Sequence, residues 1–312
     1  MRLQDKIENN SLVQKILDRA KKTSLPGFEG APIYHVVSFF IHEIQKGNIT
    51  IQAKAVAFTF FLALFPSIIF IFTLIPYLPI TGLKEHILMV LLEFLPLDVY
   101  NFLEQTIIEM LDKKKGGLLS VGLFAAVMLS TNAMMGMMDS FDRSENVKRR
   151  RKGYQQRAVA FLLTMIVFVL LILSLLLIVS GNILIELILN KFHILNQFNY
   201  LFFSTLKWMV LIVLFFSAIS SIYYIGPSNK KNWNITSAGS TLATFLTIAI
   251  SIGFSFFVNN FGRFNEIYGS LGTVVALQIF IYLDSFALLI GYELNISIKQ
   301  SHQQIADTTA DE

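Results

Sequence analysis

Residues Ala158–Val179 form an unbroken stretch without a single charged side chain. At 1.5 Å of rise per residue, such a stretch matches the hydrocarbon thickness of a bilayer. Five further segments have the same character, so the expected spans are about 53–79, 117–138, 158–179, 201–225, 235–258 and 271–298. Inside hydrocarbon every backbone N–H and C=O must be satisfied within the segment, which leaves helices as the economical solution for apolar runs of this length. The expected fold class is therefore all-α: a polytopic membrane protein with six transmembrane helices and additional amphipathic interfacial helices. Composition agrees. Hydrophobic residues make up 54% of the 312 and charged residues only 15%, against about 25% charged in a soluble domain. A soluble enzyme, a disordered chain and a fibre are excluded on that ground. With no Cys in the chain, a disulfide framework and a thiolate metal site are excluded too.

The flanks divide the chain into a cytosolic lead (1–33), the membrane domain (34–298) and a cytosolic tail (299–312) whose end is expected to be disordered. The lead is polar and lacks the apolar core of a signal peptide. Tyr34–Gly47 is too short and too polar to span, and fits a helix lying in the interface. His86–Leu97, interrupted by Glu93 and closed by Pro96, reads as an interfacial or re-entrant segment. From Val99 to Leu111 the apolar residues recur at i, i+3, i+4 and i+7, the pattern of an amphipathic helix. Pro66 lies in the middle of span one and marks a structural hinge, because it removes a backbone hydrogen bond. Gly269 and Gly272 are read as hinge positions of a tight loop re-entering the membrane before span six.

Six spans place both termini on one side. That side carries 18 of the 25 basic residues, so the positive-inside rule puts the termini in the cytoplasm. Seven of the 18 lie between spans two and three, including the run Lys148, Arg149, Arg150, Arg151 and Lys152. That run reads as a topology signal in contact with anionic lipid headgroups. No RNA-binding module or aromatic interleaving surrounds it, so no nucleic-acid partner is expected. Membrane lipids are the expected partners, and the oligomeric state is open.

Polar groups at membrane depth must be paired or face water. Asp284 lies about 13 residues into span six, where insertion of a carboxylate costs about 2.5–3.5 kcal/mol. Two readings are open for it: a substrate-contacting or proton-linked group in a cavity, or a structural carboxyl bonded to a neighbouring helix. At 100° per residue Gln278, Tyr282, Ser285, Leu289 and Glu293 share one stripe, and Asp284, Gly291 and Asn295 form a second. A helix so marked is packed in the centre of the bundle or lines a water-filled cavity. Asn132 in span two is a further candidate, read chiefly as glue between helices. The substrate-pathway candidates are thus Asp284, Gln278, Tyr282, Glu293, Asn132 and Asn295. Small residues from Ser237 to Ala243 are expected to allow close helix approach. Catalytic constellations are absent: the five His are scattered, and there is no P-loop, Gly-x-Gly-x-x-Gly or nucleophile elbow. No cofactor, no metal and no enzymatic activity are expected.

Three stretches carry a resemblance. Phe257-Val258-Asn259-Asn260-Phe261-Gly262 continues through Tyr268-Gly269-Ser270-Leu271-Gly272 to Gly291-Tyr292-Glu293-Leu294-Asn295. Ala55-Val56-Ala57-Phe58 with Leu64-Phe65-Pro66, and Gly117-Leu118-Leu119-Ser120, precede it in order. Together they resemble the YihY/BrkB family of bacterial membrane proteins over about residues 35–298. Asp284 departs from the small or neutral polar residue more usual there. The resemblance implies a six-helix protein of the bacterial cytoplasmic membrane and brings no settled activity. Members carry a ribonuclease label, but this chain lacks the metal-binding carboxylates or His acid–base groups that RNA hydrolysis needs. The expected function is transport, in the manner of a flippase, of a lipid or other amphipathic substrate. An envelope-assembly scaffold is the alternative, and a membrane-bound ribonuclease is disfavoured.

Overall fold

The computed structural model describes residues 32–45, 48–77, 97–145, 151–191, 197–229, 236–259 and 270–310, with short pieces at 19, 23–24, 27–28, 30, 84–85, 87–89 and 147. Among the described residues there is helix and turn and no strand. The longer helices are α1 (Ile33–Gln45), α2 (Asn48–Leu74, closed by a 3-10 turn at Ile75–Tyr77), α3 (Leu97–Asp112) and α4 (Gly116–Ser144). After them come α5 (Gly153–Lys191), α6 (Gln197–Ile225), α7 (Ala238–Asn259) and α8 (Ser270–Ala310). Helices α2 and α4–α8 are long and apolar enough to cross a membrane. They coincide with the six expected spans.

The differences lie at the ends. α4 continues past Met138 to Ser144 because no Gly or Pro interrupts it there and Phe141 is fully buried. α8 does not stop at Ile298 but runs to Ala310, so the tail is helical up to its last two residues, which lie outside the described ones. At 41 residues it is about 60 Å long, twice the hydrocarbon thickness. Its polar continuation contains no Gly or Pro to end the helix, and Ser301 is still buried. Gly272 also departs from expectation: it is buried in the first turn of α8 rather than placed in a loop, since the helix begins at Ser270. Gly269, most of His86–Leu97 and most of the lead lie outside the described residues. α2 runs unbroken through Pro66, although the ring nitrogen leaves the Leu62 carbonyl without its usual donor.

Hydroxyl groups within the spans are largely satisfied by their own helices. Ser67, Thr73, Ser140, Thr164, Ser174, Ser217, Thr244 and Ser285 each donate to the carbonyl four residues earlier, which lets polar side chains sit at membrane depth at little cost.

The spans form a ring in which each packs on two neighbours: α2 on α4, α4 on α5, α5 on α6, α6 on α7, α7 on α8, and α8 back on α2. α8 also touches α4 and α1. Alternating directions define two ends. The near end holds α1, the turn after α4, the turn after α6 and the extension of α8; the far end holds α3. The largest apolar core cluster belongs to the near half, with Met137, Met138, Phe141, Leu163, Tyr223, Leu289 and Tyr292 among its members. α1 docks there as well, through Val36 against Phe28 and Ile298. Toward the far end the packing thins. No residue of α5 from 164 to 178, of α6 from 201 to 218 or of α7 from 248 to 257 is buried among those whose burial is described. α2, α4 and α8 keep buried positions there, such as Thr73, Gly122 and Ala276. The ring is tight at one end and loose at the other.

Candidate functional site

Two groups of polar residues stand out, one locking the near end and one on the far-facing half of α8. The lock begins with a close helix crossing. A Cβ at Gly239 would lie 2.0 Å from the Gly291 carbonyl oxygen, and one at Gly291 would lie 2.7 Å from the Ala243 Cβ. α7 and α8 therefore touch backbone to backbone, which is the close approach expected of the small residues in span five. Ser237 caps α7, its Oγ accepting from the Ser240 N–H at 3.1 Å. Asn295 completes the cap: its Oδ1 accepts from the Gly239 N–H at 2.8 Å and its amide donates to Ser237 Oγ at 2.9 Å. Both ends of the Asn295 side chain are thus engaged in joining α8 to the start of α7.

On the other side of the lock the turn after α6 is held by two charges. Asp142, fully buried, accepts from the Ser228 N–H at 2.8 Å and the Ser228 hydroxyl at 2.6 Å. The Arg151 guanidinium donates to the carbonyls of Ile225, Gly226 and Pro227 at 2.6–3.0 Å. Cations are favoured at a helix C-terminus, where carbonyls are unsatisfied. Burial pushes the Arg151 pKa below its ordinary value, with Asp142 opposing. Arg151 is therefore turned inward to a helix end, a correction to its expected place among the headgroup contacts. Lys152 is exposed, and Lys148, Arg149 and Arg150 lie outside the described residues. Glu145 pairs with Lys299 of α8 and accepts from the Asn229 amide at 3.0 Å. Behind these charges Phe141 stacks on Tyr292 with centroids 4.0 Å apart, and the Tyr223 hydroxyl donates to the Leu288 carbonyl.

Sequence reasoning passed over Asp142, Glu145, Lys299 and Ser228. Their one visible signal was the Gly226-Pro227-Ser228-Asn229 turn, which gives no hint of a carboxylate more than 80 residues away.

The second group lies on α8. Ser285 is buried, while Gln278, Tyr282 and Asp284 are half-buried; Glu293, also buried, lies apart from them, between Gly291 and Asn295 at the near end. Tyr282 stacks on Phe286 with centroids 6.1 Å apart. Asp284 Oδ1 and Gln278 Oε1 are enclosed and have no hydrogen-bond partner among the described residues. Thr247 Oγ1 of α7 is in the same condition. The Gly239–Asn295 bond and the stacking of Phe254 on Phe280 at 4.6 Å fix one antiparallel register between α7 and α8. In that register Asp284 stands level with Ile250, within a turn of Thr247. Asp284 and Gln278 thus lie where the ring loosens, with Thr247 at the edge of that zone; enclosed oxygens without a partner among the described residues also occur at the near end, at Gln156, Ser220 and Ser301. Asn132 is not among them; it is exposed on the outer surface of α4.

Among the described residues no three His, Asp or Glu side chains are grouped to hold a metal ion. No solved structure matches the chain. The ribonuclease-like protein YfkH of Bacillus subtilis is 28% identical over 82% of this chain and 90% of its own length. A UPF0761 membrane protein of Photobacterium profundum is 25% identical over 86% of this chain and 82% of its own. One from Aliivibrio salmonicida is 32% identical over 34% of each. The model of the family described as Virulence factor BrkB matches residues 40–312, and the chain belongs to that family.

Proposed function

We infer that this integral membrane protein moves an amphipathic, lipid-like molecule between the two leaflets, along the loosened half of α8, which carries Gln278 and Tyr282 on one stripe and Asp284 on another. The observation that carries the reading is the pair of enclosed, unpartnered oxygens on Asp284 and Gln278. They sit where α5, α6 and α7 lose their buried contacts. An enclosed carboxylate or amide without a partner is costly, and that cost is offset when a polar headgroup or water passes the site. Both termini, with the near end, lie in the cytoplasm in this reading, and the loose end opens outward. The chain acts as a carrier without catalytic chemistry.

The test is reconstitution in liposomes with labelled phosphatidylethanolamine, phosphatidylglycerol and phosphatidylcholine. Faster redistribution of at least one than in empty vesicles is expected, lost in Asp284→Leu and kept in Asp284→Asn. Redistribution no faster than in empty vesicles for all three defeats the proposal.

A second reading, a membrane scaffold, draws support from Asn295 and Arg151, whose polar groups are committed to neighbouring helices. Under it, Asp284→Leu would raise thermal stability and leave every cellular phenotype of the protein unchanged.

A further inference from the structure

A trough of about 520 Å3 runs down the outer surface of the ring between α4 and α5. Two helical stripes face each other across it. Phe124, Val127 and Met128 of α4 lead to Asn132, and Arg157 and Phe161 of α5 lie opposite. From Phe124 to Asn132 the trough follows α4 for about 12 Å, and its walls there are apolar. Four lining residues carry polar groups: the hydroxyls of Thr131 and Tyr154, the Asn132 amide and the Arg157 guanidinium, of which the last two can recognise a headgroup. Asn132 is exposed within the trough, and no hydrogen bond of its amide occurs among the described residues. On a lipid-facing surface such an amide is costly unless something bonds to it. Arg157 is exposed one turn into α5, at the level where a span meets the headgroups, and no carboxylate among the described residues pairs with it. The first turn of α5 contains no acidic residue, so the positive end of the helix dipole adds to the charge of Arg157.

We propose that this trough is a binding site for an anionic glycerophospholipid of the near-end leaflet. Its phosphate pairs with Arg157, an ester carbonyl lower down accepts from the Asn132 amide, and one acyl chain lies between Phe124, Val127, Met128 and Phe161. Arginine suits the first task because its planar fork matches two phosphate oxygens at once. Charge complementarity selects the occupant: the trough pairs a cation at headgroup depth with a hydrocarbon-lined floor. The site is on the outside of the ring, does not include Asp284 in its lining, and stands whether or not the protein moves lipid.

Native mass spectrometry of the full chain in mild detergent tests it, with phosphatidylglycerol and phosphatidylcholine as the added lipids. The wild-type protein is expected to retain phosphatidylglycerol about tenfold more strongly than phosphatidylcholine, the scale of a charge-assisted hydrogen bond. Arg157→Gln removes that preference, Arg157→Lys restores part of it, and Ala158→Trp, which fills the trough, weakens retention of both lipids. Gel filtration confirms that each variant is folded. Lys54→Gln, another exposed cation near the same end, serves as control. An equal loss in Lys54→Gln would mean diffuse attraction to the surface and overturns the site, as does undiminished retention in Arg157→Gln. Because the chain has no native Cys, Asn132→Cys supplies the remaining arm. Disulfide-linked pairs of this variant in native membranes would identify the trough as a contact between copies and also overturn the proposal.

Discussion

At the scale of single residues the near end is held by groups that tolerate almost no change. Gly291 has no room for a Cβ, which would meet the Gly239 carbonyl oxygen at 2.5 Å and the Tyr223 hydroxyl at 2.6 Å. Gly291→Ala must therefore push α7 and α8 apart, at a cost of about 1–3 kcal/mol. Gly253 on α7 is a clean comparison, since a Cβ there meets nothing within 4 Å. Gly253→Ala should be neutral or stabilise by up to about 1 kcal/mol, the ordinary helix preference for alanine. Thermal unfolding in detergent separates the two, and equal midpoints would disprove the close crossing. Arg151 makes the same argument for charge. Arg151→Ala strips three carbonyls of their donor and leaves Asp142 without its nearby cation, a loss of about 2–3 kcal/mol. Arg151→Lys recovers only part, because an ammonium lacks the fork that reaches three carbonyls. Lys152→Ala, one residue away and exposed, should leave the unfolding midpoint unchanged.

The elements show what one mid-helix residue does to a whole span. α2 packs closely against α4 and carries Pro66 along the way. Pro66→Ala returns a donor to the Leu62 carbonyl and should raise stability by about 1–3 kcal/mol. If the weak point in α2 serves lipid passage, the same variant slows redistribution in liposomes; a stabilised variant with unaltered rate makes Pro66 a packing accommodation. The spans themselves were legible because 20 apolar residues have no alternative fold, and the small-residue stripe of α7 was legible because only small side chains allow close contact. The roles of the polar residues were not. Asn295 and Asp284 look alike in a hydropathy trace, yet one caps α7 and the other holds an unpartnered oxygen. The difference depends on what the neighbouring helix presents. Arg151 likewise belonged to a basic run whose meaning changed once Ile225, Gly226 and Pro227 came within reach of its guanidinium. Such pairings join residues 74–76 positions apart, and no local pattern encodes them.

For the whole molecule the decisive property is the contrast between its two ends. The core cluster and the polar lock make the near half a rigid base, while three of the six spans are without buried residues over the described far-half stretches. If the protein moves lipid as proposed, the aqueous path to Gln278 begins at the α3 side, where opening leaves the near half packed. Three single-cysteine variants in the cysteine-free chain read this directly. Lys114→Cys lies between α3 and α4, Lys152→Cys at the near end, and Gln278→Cys on the loosened half of α8. In right-side-out vesicles an impermeant thiol reagent should label Lys114→Cys and, more slowly, Gln278→Cys, and should spare Lys152→Cys until the membrane is opened. Labelling of Lys152→Cys in sealed vesicles would invert the orientation drawn from the 18 basic residues of the near side. A Gln278→Cys variant silent from both sides would mean that the far half closes around its polar groups in the bilayer. Lipid would then have no polar route past α8, and the scaffold reading would replace transport.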